Sequence, residues 1–249
     1  MRGLIVGMAN DQSLAWGCAE ALRAGGAELA ITYQNDKARR FVEPLAQELE
    51  APIFAPLDVT DPAQVEALFT EIAERWGSLD FLLHSIAFAP KEDLHGRVVD
   101  SSVEGFCLAM DVSCHSLIRL ARHAEPLMKE GGAILTMSFY GSEKVVPSYG
   151  IMGPVKAALE ASVRYLAGEL GPSGIRVNAL STGPVRTRAA SGLSHLDALI
   201  RLASEKAPLH QLVTIEQIGH MAAFLLGPKA RFVTGQTVYV DSGYNAVSG

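Results

Sequence analysis

Short apolar runs and longer half-apolar stretches alternate along the whole chain. Runs rich in aliphatic and β-branched residues at 3–6, 27–33, 52–57, 79–84, 133–137, 174–180 and 236–240 are bounded by turn residues and read as buried strands. Between them, apolar positions return at helical spacing over 13–24, 36–49, 61–76, most of 103–129, the stretch beyond 147, and 215–226. Asp61-Pro62 marks one helix start, and Pro147-Ser148 reads as another with Ser148 as its N-cap. Strict β-α alternation with apolar strands predicts a single α/β domain over 1–249, a seven-stranded parallel sheet doubly wound by helices. Such sheets take ligands at the carboxyl ends of their strands, so the residues just after each strand carry the chemistry.

Composition narrows the class of function more than the fold. Hydrophobic residues make up 49 % of the 249 and charged ones 19 %, which fills a globular core. A net charge of −6 lacks the basic face that nucleic acid requires. Cys18, Cys107 and Cys114 have neither CxxC nor metal spacing and read as buried thiols in a reducing compartment, with no metal site. The apolar run at 3–6 is too short for a signal peptide, and no eighteen-residue apolar window exists to span a membrane. A cytoplasmic protein is expected.

The most informative stretch runs from 133 to 165: a buried strand, a polar break, then a helix placed to carry Tyr149 and Lys156. Seven residues are two helical turns, about 10 Å, which leaves room for a cofactor sugar between phenol and ammonium. A fixed cation there would favour the charged form of the phenol or of an adjacent oxyanion. The same pair also suits the solvated face of an amphipathic helix. After the first strand, Gly7 permits a tight turn, and Ser13, Ala15 and Gly17 are small where a helix N-terminus would approach a diphosphate. This is not the GxGxxG fingerprint, and an ordinary strand-to-helix turn reads the same way. Gln34 stands where an acid usually meets the adenosine ribose, with Lys37, Arg39 and Arg40 nearby, a pattern that favours NADH over NADPH. Asp58 is placed either to accept from an adenine amino group or to cap a turn. His84 reads as a packed strand-end histidine, followed by the small, apolar 85–90.

Together these pieces resemble the short-chain dehydrogenase/reductase superfamily of Rossmann-type folds, and within it the bacterial NADH-dependent enoyl-(acyl-carrier-protein) reductases. The resemblance spans nearly the whole chain. It is carried by Gly7…Ser13-x-Ala15-x-Gly17, TYQND at 32–36, HSIAFAP at 84–90, Tyr149-x6-Lys156, RVNALSTGPVRT at 176–187 and AASG at 189–192. The wider superfamily mostly uses Tyr-x3-Lys, but the residue four beyond Tyr149 is Gly153. The resemblance implies that Gly7, Ser13, Leu14, Gln34, Asp58, Val59, Ile86, Lys156, Val185, Arg186, Thr187, Arg188 and Ala189 hold NAD. It further implies that Tyr149 and Lys156 are catalytic, that Ala89, Phe139 and Tyr149 meet the substrate, and that a lid over 186–207 covers the acyl chain. It implies an acyl carrier protein as partner and a homotetramer in fatty acid synthesis. Two departures stand out: Phe139 occupies a position usually held by Tyr, with Tyr140 one later, and Arg188 replaces an apolar residue. A ketone- or alcohol-active short-chain reductase and a catalytically degenerate NAD-binding paralogue are the alternatives.

Overall fold

A computed structural model describes residues 1–187 and 196–247. Its frame is β1 (Arg2–Val6), α1 (Leu14–Ala24), β2 (Glu28–Tyr33), α2 (Asp36–Glu48), β3 (Ile53–Pro56), α3 (Pro62–Trp76) and β4 (Phe81–His84). A short helix α4 (Lys91–His95) follows, then α5 (Val103–Met110), a π-turn over Asp111–His115, and α6 (Ser116–Ala124). The chain continues through β5 (Gly132–Phe139), α7 (Met152–Leu170), β6 (Ile175–Thr182), α8 (Leu196–Lys206), α9 (Ile215–Leu226) and β7 (Thr237–Val240).

All seven strands pair in parallel, in the order β3-β2-β1-β4-β5-β6-β7. Alternation along each strand feeds two separate cores. Leu4 and Val6 pack with α3, α6 and α7 on one face, and Ile5 with α1, α2 and α9 on the other. The two layers explain why the strands read as unbroken apolar runs. Strand order reverses direction between β1 and β4, which opens a crevice at their carboxyl ends.

The helix expected over most of 103–129 is present, with a π-turn inside it that inserts its extra residue where Ser113 reaches back to the backbone of Phe88. Three sequence expectations change. Cys107 is exposed, whereas Cys18 and Cys114 are buried as expected. Gly17 does not serve a diphosphate. A Cβ there would lie 2.3 Å from the Ile215 carbonyl oxygen, and one on Gly219 would lie 2.1 Å from that of Gly17, so this glycine pair sets the close crossing of α1 and α9.

The helix after 147 also begins later than expected. Ser148 is not an N-cap: its φ is +64°, and α7 starts only at Met152. Pro154 gives the reason. A helix begun at Tyr149 would place the proline ring against the Gly150 carbonyl, whereas in the first turn of α7 its missing N–H costs nothing. Tyr149 therefore sits in the turn before the helix, and the two-turn spacing to Lys156 does not apply.

Candidate active site

The crevice is a cavity of ≈ 490 Å³ walled by the residues that follow β1, β4, β5 and β6. Gly7 closes one end of it. With φ at +100°, it lies so close to β4 that a Cβ would stand 2.1 Å from the Ser85 carbonyl oxygen, so any other residue would push the two strand ends apart. Ser13, the residue before α1, holds the loop after β1: its Oγ accepts from the Ala9 and Asn10 amides and donates to Asn10 Oδ1. On the opposite wall, Ser113 Oγ accepts from the Phe88 amide and donates to the Phe88 carbonyl, both at 2.8 Å. One hydroxyl thus fixes the segment that carries Ile86 and Ala89.

Tyr149 and Lys156 both line the cavity. Tyr149 is 8 % exposed, with its ring edge-on to Phe139 at 4.9 Å and lying over Gly141, where a Cβ would touch the ring. Burial first, and the charge of Glu160 second, raise its phenol well above the ordinary tyrosine range. The expectation that Lys156 would favour the phenolate is therefore overturned, and the phenol stays a hydrogen-bond donor. Lys156 is buried and donates from Nζ to the Met137 carbonyl at 2.6 Å. Burial lowers its pKa to about 8, while Glu160 and then Cys114 oppose that shift. The lysine can therefore hold a fixed, buried positive charge in a wall that is mostly apolar.

His84, at the end of β4, has both ring nitrogens bonded, Nδ1 to Thr136 Oγ1 and Nε2 to Ser116 Oγ, each at 2.8 Å. Ser116 Oγ already donates to the Val112 carbonyl, so it accepts from an Nε2–H, and Nδ1 accepts from Thr136. Burial, reinforced by Lys156, lowers the His84 pKa to about 3. It is a packed, neutral histidine, as its sequence position implies.

A family profile described as "Enoyl-(Acyl carrier protein) reductase" matches residues 7–245. The chain belongs to that family. It is 49 % identical over 246 residues, covering 99 % of this chain and 90 % of the relative, to "Enoyl-[acyl-carrier-protein] reductase [NADH] 1" of Rhizobium meliloti (strain 1021). The solved enoyl-(acyl-carrier-protein) reductase of Anaplasma phagocytophilum in complex with NAD is 49 % identical with a TM-score of 0.96, over 100 % of this chain and 95 % of that one. The Bacillus cereus enoyl-acyl carrier protein reductase, solved with NADP+ and indole naphthyridinone, is 44 % identical with a TM-score of 0.97, over 100 % and 97 %.

Among the positions that enoyl reductase resemblance assigned, the cavity brings together Gly7, Ser13, Leu14, Ile86, Ala89, Phe139, Tyr149, Lys156, Val185 and Thr187. It does not include the others. Gln34 is exposed beyond β2, and Asp58 beyond β3 binds the Thr60 amide and hydroxyl through Oδ1, so both sit at the same sheet edge but outside this cavity. The Val59 side chain is buried in the core, and its carbonyl accepts from Arg119. Arg186 extends into solvent and pairs with Asp197 at 2.6 Å, so its guanidinium does not reach the cavity. Arg188 and Ala189 lie outside the described residues. Tyr140 does not replace the missing phenol, because it turns edge-on to Tyr244 at 5.7 Å. Sequence reasoning missed Met152 and Leu94 of α4, which line the cavity, whereas Leu196 and Leu199 of α8, which also line it, fall within the 186–207 segment expected to cover the acyl chain. Pro90, the residue just before α4, was the available signal for that helix.

Proposed function

We infer that this chain reduces the trans-2 double bond of enoyl-(acyl carrier protein) thioesters with NADH, in fatty acid elongation. The observation that carries the reading is the pairing of a protonated phenol, Tyr149, with a buried cation, Lys156, in one apolar cavity at the strand ends. The residues fit a flat dinucleotide: glycine, alanine and serine line the approach, and Lys156 offers a charge to ribose hydroxyls. Bound NADH supplies the hydride that reaches the β-carbon of the enoyl thioester. Tyr149 donates a hydrogen bond to the thioester oxygen as negative charge gathers there, and a proton delivered to the α-carbon, from Tyr149 or through water, completes the reduction. Such a hydrogen-bond donor is worth about 3–4 kcal/mol in the transition state. Lys156 orients the cofactor and keeps the site positive, and Phe139 backs the phenol as part of the wall. We assign Leu196 and Leu199 of α8 to an apolar lid, within the 186–207 segment of a single domain, that excludes water from the acyl chain. Loss of NADH absorbance with a crotonyl or longer enoyl thioester tests the reading. Reduction of ketones alone, or binding of NADH with no turnover, would overturn it.

NADH is favoured over NADPH because Arg39 is engaged, bonded to Glu43 at 3.0 Å and lying over the Tyr33 ring, instead of waiting for a 2′-phosphate. The kcat/KM ratio for the two cofactors is expected to favour NADH. We also propose a homotetramer. Val103 and Leu108 on α5 and Tyr165 on α7 are exposed apolar side chains on neighbouring helices. Ala157, Ala158 and Ala161 are half-buried beside them, while Val163 and Leu166 belong to the core of the subunit. A monomer in light scattering at micromolar concentration would refute the tetramer.

A further inference from the structure

The buried face of α7 carries an ionisable side chain that the reaction above leaves without a task. Glu160 stands one helical turn beyond Lys156 and is 5 % exposed. A glutamate is rarely so buried unless it is held. Ser138 Oγ, near the end of β5, donates to Glu160 Oε1. Ser181 of β6 pairs in register with Ser138, and Tyr239 of β7 with Ser181. The Ser181 hydroxyl has no hydrogen-bond partner among the described residues, and the Tyr239 hydroxyl interacts with Glu143. A row of polar side chains thus crosses three strands behind the cavity, with one carboxylate anchored to it. Lys156 gives the reason for a carboxylate there. A buried ammonium is costly without an opposing charge, and among the described residues its one hydrogen bond goes to a neutral carbonyl.

We propose that Glu160 is a positioning residue: its carboxylate, tethered by Ser138, supplies the counter-charge of the Lys156 ammonium and acts on the cofactor only through that lysine. The proposal rests on the reading of Lys156 as the group that holds the nicotinamide ribose. The groups around the lysine agree. Burial draws its pKa down to about 8, against which Glu160 and then Cys114 of the π-turn act. His84 of β4 stays neutral, the Met137 carbonyl of β5 accepts a hydrogen bond from Lys156 Nζ, and Tyr149 stands in the turn before the helix. On the far side of Glu160, Tyr239 is pushed up by burial, then by Glu143, with smaller contributions from Glu160 and Asp241.

The test is NADH binding by the intact protein, followed by fluorescence from about pH 6 to about pH 10. Wild-type binding should weaken as pH rises through about 8. Glu160→Gln keeps an acceptor for Ser138 but loses the charge, and its alkaline loss should begin about one pH unit lower. Glu160→Asp should move the limb back toward wild type, and Ser138→Ala should shift it in the same downward direction by less. A merely structural role would lower the melting temperature and leave the limb in place. An unmoved limb in Glu160→Gln, with binding lost in Lys156→Met, overturns the proposal and leaves the lysine reading standing. Lys156→Met that binds NADH as wild type does would overturn both. Should Glu160→Gln fail to fold, an unmoved limb in Ser138→Ala overturns the proposal.

Discussion

At the scale of single residues, the site works by burial. Desolvation holds the Tyr149 phenol protonated and Lys156 near the edge of its charged range, so one donates a hydrogen bond while the other carries charge. Tyr149→Phe should lower kcat by about tenfold to a thousandfold with NADH affinity little changed, as loss of an oxyanion donor does. Phe139 already packs edge-on to Tyr149, so a second phenol there adds little to a reaction that builds charge on one oxygen. Phe139→Tyr should change kcat only a few-fold; activity appearing only in that variant would mark the natural chain as a degenerate paralogue. His84 leads to a stability prediction. Its pKa is about 3 in the fold against 6.5 in the unfolded chain, so the unfolded state takes up the proton first. The stabilisation is complete above pH 6.5 and is lost as pH falls toward 3. Melting temperatures of His84→Gln should therefore depend less on pH across that window than those of wild type.

At the scale of elements, the turn between β5 and α7 decides where the phenol goes. Ser148 and Gly150 both have positive φ, and a Cβ on Gly150 would stand 2.6 Å from the Leu94 carbonyl oxygen of α4. The turn is thus pressed against α4, and the Tyr149 ring packs against Phe139 and Gly141 at the cavity. Gly150→Ala is expected to push these elements apart and lower kcat/KM by tenfold or more, the scale of losses from small misplacements of reacting groups, with the sheet intact by circular dichroism. Normal kinetics in that variant would show that the turn tolerates the shift. The π-turn works in the same way from the other wall, since Ser113 binds both backbone groups of Phe88.

At the scale of the whole molecule, sheet order places four strand ends around one crevice, and α8 brings Leu196 and Leu199 over it. Arg201 and Lys206 on α8 are exposed, and we propose that they meet an acidic acyl carrier protein. Arg201→Glu should raise KM for a carrier-bound substrate well above its effect on a coenzyme A analogue; equal effects would assign Arg201 to a solvated surface. Among the described residues, no helix is long and apolar enough to cross a membrane.

Periodicity alone determined the seven strands and most of the helices, because the central strands bury both faces and each helix buries one stripe, and such patterns survive in a linear reading. The Gly7 turn, the Asp61 cap and the small residues after β4 were legible for the same reason: each answers a local steric or hydrogen-bonding demand. What tertiary structure decided was everything set by contacts distant in sequence. The π-turn inside the helix over 103–124 brings a hydroxyl to Phe88, 25 positions away. Gly17 depends on α9, and the rise of the Tyr149 pKa on a burial that no spacing rule reports. The late start of α7 was local, written in Pro154, but where the displaced tyrosine points was settled only by its packing against Phe139 and Gly141 at the end of β5.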